Sequence, residues 1–169
     1  MLIAWIWRCF DDMTNDEFLR DLQKLADGWC ERRALKALSQ LFANGELWGL
    51  ARWLFVRNRP EIGPIIPSKR LEQLYRDMLV RYINFLSTHL RIEPPLVIKA
   101  GAVGLKGFRL AVDTDQLFGP FYDDAFEATY VLNEFSPEAI NTILLQFFEA
   151  LFAATGYERP KNLWNFPPG

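Results

Sequence analysis

Apolar residues recur at helical spacing through much of the first half of the chain. Thr14-Asn15-Asp16-Glu17 forms a capping box, in which Thr14 accepts from the Glu17 amide and Glu17 reaches back, while Met13 can staple onto Phe18. Phe18, Leu22, Leu25 and Trp29 follow on one stripe, and Gly28 marks a break before a second helix carrying Ala34, Leu35, Leu38, Leu41 and Phe42. Asn44-Gly45 ends that second helix. Glu46 to Val56 is nearly all apolar and reads as a short helix whose Leu47, Leu50, Trp53 and Leu54 demand burial on several sides. Arg57 to Pro67 holds Pro60, Pro64, Pro67 and Gly63, a composition that predicts an irregular connection.

From Ser68, read as an N-cap, the positions Leu71, Leu74, Tyr75, Met78, Leu79, Tyr82 and Leu86 give the cleanest helical stripe in the chain. That helix must stop before Pro94-Pro95. Leu96 to Ile98 and Phe108 to Val112 are short β-prone runs separated by Gly101, Gly104 and Gly107, which predicts a hairpin or two neighbouring strands. Phe126, Ala128, Tyr130 and Leu132 alternate with Glu127, Thr129 and Val131, the period of a half-buried strand, expected to pair antiparallel with its predecessor. Ser136-Pro137-Glu138 then supplies an N-cap, a proline at the first helical position and an early acid. The helix they open shows Ile140, Ile143, Leu144, Phe147, Phe148 and Leu151 on one face and closes at Gly156, with Tyr157 set to touch Phe152 in a Schellman arrangement.

These elements predict an α+β fold: a helical N-terminal half packed with a small antiparallel β-sheet and a long C-terminal helix. At 169 residues, half of them apolar, residues 1–169 make one domain with a sizeable core, with 1–12 as an N-terminal arm or strand and 158–169 as an extended tail. The opening run Met1 to Phe10 is too short to span a bilayer and lacks the pattern of a secretory signal, and Met13 is an alternative start because the regular pattern follows it. Cys9 and Cys30 are too few and too poorly spaced for a disulfide framework or metal site, which points to a reducing cytoplasm.

Candidate chemistry is thin. His89 is the only histidine, which excludes multi-histidine metal sites and leaves any nucleophile–histidine scheme dependent on one residue. No nucleotide-binding glycine motif or nucleophile elbow stands in the required strand-to-helix context, and no cofactor is implied. The glycines from Gly101 to Gly107, with Lys106, read as a turn between strands rather than an anion cradle. Asp113, Asp115, Asp123, Asp124 and Glu127 form an acidic cluster, and no Lys or Arg occurs between Ala111 and Glu138. Such a cluster meets a basic partner, shares a metal, or solvates a loop.

A net charge of −2 favours no class of partner by itself. The missing catalytic sets, the 15% aromatic content and the segregated charges lead to a non-enzymatic protein–protein interaction module of adaptor, regulator or immunity type. Its partner would be another protein or a second copy, met through the acidic cluster and the tail residues Trp164 and Phe166. Two alternatives stand beside it. One is a Mg-dependent enzyme on a phosphorylated substrate, with Asp113 and Asp115 as metal ligands and Lys106 neutralising phosphate. The other is nucleic-acid binding through the basic stretch 52–91, carried by Arg57, Arg59, Lys69 and Arg70.

Overall fold

The computed structural model describes residues 2–8, 37–41, 46–51, 57–59, 61, 63–113, 115–161 and 163. In chain order its elements are β1 (Leu2–Arg8), β2 (Ala37–Leu41), β3 (Leu47–Ala51), β4 (Arg57–Arg59), β5 (Gly63–Pro67), α1 (Ser68–His89), β6 (Leu96–Val103), β7 (Arg109–Ala111), β8 (Leu117–Phe118), β9 (Ala125–Leu132) and α2 (Pro137–Ala153). Five strands form one antiparallel sheet in the order β2-β3-β1-β6-β9. A second sheet runs β4-β5-β7-β8, with β5 and β7 parallel and the other neighbours antiparallel. Among the described residues no helix is long and apolar enough to cross a membrane.

The α+β expectation holds only as a mixture of helices and strands, and the helical N-terminal half is corrected. Residues 37–41 of the expected second helix, and 47–51 of the expected third, are strands β2 and β3. The reason lies in burial. All five residues of β3 are buried, and a strand covered on both faces reads as a continuous apolar run with no period of two to separate it from a buried helix. Prolines misled in the same way at 57–67, where β4 and β5 pair instead of wandering. Pro64 faces only β4 and Pro67 only β7, so each proline is paired on a single side. The expected helix at 14–29 and the tail residues Trp164 and Phe166 lie outside the described residues.

Both helices lie on one face of the large sheet. Ile98, Ala100 and Ala102 of β6 share that face with Leu47 of β3, and they join Leu71, Tyr75, Leu79, Ile83 and Leu86 of α1 and Leu144, Phe147 and Phe148 of α2 in one core. Tyr75 is fully buried and donates its hydroxyl to the Gly101 carbonyl at 3.0 Å, which satisfies the phenol and fixes α1 over β6. Trp48, Leu50, Lys99 and Val103 point to the opposite face and are buried as well, so the sheet's centre is covered on both sides.

Three local details bear on the sequence reading. α1 starts one residue early, with Pro67 in extended conformation as its N-cap; Ser68 is inside the helix, its hydroxyl buried with no hydrogen-bond partner among the described residues. The runs at 96 and 108 are not neighbours. β6 extends through Gly101 to Val103 in the large sheet, and turns at Gly104 (φ 73) and Gly107 (φ 83) carry the chain into β7 of the small one. Consequently β9 pairs antiparallel with β6, not with β7.

α2 begins and ends on the expected residues. Ser136 Oγ accepts from the Ala139 amide at 3.1 Å, with Pro137 and Glu138 in the first turn. At the other end the Gly156 amide donates to Ala153 and the Tyr157 amide to Phe152, the Schellman pattern, with Gly156 at φ 83. The Tyr157 ring itself rests on Phe118, which in turn packs edge-on against Phe152.

Candidate functional site

The five acids of the cluster are not brought together. Asp113 lies in the turn between β7 and β8, where its Oδ1 accepts from the amides of Asp115 (2.9 Å) and Gln116 (2.8 Å). Those two amides, with a smaller contribution from the Lys69 charge, hold the Asp113 carboxyl below the usual carboxylate range. Its short side chain is thus closing an Asx-type turn. Asp115 is exposed beside it. Among the described residues no group of three or more His, Cys, Asp and Glu side chains gathers closely enough to hold a metal ion.

The basic residues stand on elements that adjoin through β5. Lys69 and Arg70 are exposed in the first turn of α1, which contains no acid, while Arg57 and Arg59 belong to β4 at the border of the small sheet. His89 ends α1, its ring 5.5 Å from that of Phe85, in the position where a cation suits the helix dipole.

Asp123, Asp124 and Glu127 do share a place. They sit just before and near the start of β9, which with β2 borders the large sheet among the described residues. β9 pairs residue for residue with β6 from Val103↔Ala125 to Leu96↔Leu132, without a bulge. Its side chains alternate as the sequence indicates. Phe126 and Tyr130 lie on the helix face against Phe147, at 5.7 and 6.5 Å between ring centres, and burial pushes the Tyr130 phenol up to about 12. Glu127, Thr129 and Val131 occupy the other face, where Thr129 and Val131 are exposed.

Two exposed apolar residues were missed by sequence reasoning. Tyr122 is 72% exposed just before β9, and Val131 is 54% exposed near its end. A signal for Val131 existed: it is an apolar residue at the same parity as Glu127 and Thr129, where a half-buried strand normally turns polar. Tyr122 carried no such signal, since it lies in a bend next to two aspartates.

Close contact holds β9 in place. A Cβ on Gly101 would stand 2.5 Å from the Phe126 carbonyl oxygen and 3.2 Å from Glu127 Cα, which are main-chain atoms of β9. Gly101→Ala is therefore expected to push β9 away from β6 and to cost about 1–3 kcal/mol of stability in urea unfolding. Gly49 differs, because the atoms in its way belong to the Tyr82 ring, which lies over the glycine and reaches Ser39 of β2 by a 2.6 Å hydroxyl contact.

The void lined by Ile66, Tyr75, Leu105, Phe121 and Leu151 is apolar and holds no more than about one water molecule. Comparison with known proteins finds no match to this chain among family models, curated proteins or solved structures.

Proposed function

We propose that this chain is a protein-interaction module whose contact surface is the outer side of β9 with the residues flanking it. The observation that carries the reading is the state of that edge. Among the described residues β9 borders the large sheet over eight residues, without the proline, lysine or bulge that often keeps such a border from pairing with another chain, and with Glu127 as its one charged residue. Other borders are short: β2 has five residues, β4 three and β8 two. Tyr122 and Val131 add exposed apolar area to the same region.

The metal-dependent alternative loses support from the use of Asp113 as a turn cap. A cytoplasmic setting belongs to the proposal too, resting on the two sparse cysteines, which lie outside the described residues.

Capture from host lysate tests it, using the tagged wild type and Val131→Lys side by side after nuclease treatment. The expected result is a protein retained in stoichiometric amount by the wild type and lost by the variant. Retention of no protein by the wild type would overturn the interaction reading. Equal retention by both would remove β9 as the surface.

A further inference from the structure

We draw no further inference here: the strongest candidate, an anion site at the N-terminus of α1 beside the exposed Lys69 and Arg70, rests on a helix N-terminus alone, because the buried Ser68 hydroxyl lies on the buried stripe of Leu71, Glu72 and Tyr75 and is not aimed into that site.

Discussion

Arg159→Met is expected to lower the free energy of unfolding by about 3–5 kcal/mol, the usual penalty for removing one partner of a buried ion pair. The Arg159 Nε and Nη2 atoms donate to the two carboxylate oxygens of Glu72 at 2.8 Å each, with side chains only 5% and 1% exposed. This bidentate pair joins the first turns of α1 to the segment that follows α2, 87 residues away. Without Arg159, the Glu72 carboxylate would be left in a dry site. Urea unfolding at neutral pH measures the loss, and a change below about 1 kcal/mol would show that the pair is dispensable.

Glu72 also predicts a direction with pH. Burial pushes its carboxyl above the usual range, outweighing the Arg159 hydrogen bond and charge that pull it down. A folded value above the unfolded one means that the folded state takes up the proton first. The contribution of Glu72 is then fully present below the unfolded value and is lost as pH rises through the raised folded value. Arg159→Met removes the lowering influences, so its fall in stability over that window should be steeper than in the wild type. In Glu72→Gln this contribution to the slope should vanish.

Phe147→Ala is the second large effect, expected to cost about 3–5 kcal/mol. Phe147 is fully buried at the point where four aromatic rings meet: Tyr75 of α1 at 4.7 Å, Phe148 of α2 at 5.4 Å, and Phe126 and Tyr130 of β9. Truncation opens a cavity between helices and border strand and removes every one of these ring contacts. The upper half of the range is expected because the surrounding rings belong to three different elements and cannot collapse together. Phe147→Leu should lose less. Denaturant unfolding gives the free energy, and hydrogen exchange along 125–132 should show β9 loosened before the rest of the sheet.

Legibility from sequence followed burial. Elements with one wet face announced themselves: α1 through the stripe from Leu71 to Leu86, β9 through Glu127, Thr129 and Val131, and α2 through Ser136, Pro137 and Gly156. β3 did not, because a strand without a wet face keeps no period of two, and Leu47 to Ala51 satisfy a helical template just as well; β2, where Ser39 and Leu41 are exposed, is only five residues long, and its Leu38 and Leu41 fit helical spacing too. The site divides similarly. Asp123, Asp124 and Glu127 stand near the start of one strand, whereas Asp113 and Asp115 are close to them only in sequence and belong to a turn of the other sheet. That β9 is a border was not legible at all: it depends on pairing with β6, across a stretch of chain that makes two strands of the other sheet.

The order β2-β3-β1-β6-β9 also has a bearing on how the protein comes off the ribosome. Among the described strands β1 comes first in the chain, yet it occupies the middle of the sheet, with Leu2 opposite Val103 of β6. Until roughly a hundred further residues have emerged, one side of β1 has no native mate, and the nascent chain carries an open apolar ribbon. Completion of β6 is thus the event that gives β1 its second neighbour and turns a three-stranded fragment into a four-stranded one, which β9 then extends. A pause in translation before that point would prolong the period of greatest vulnerability to misassociation.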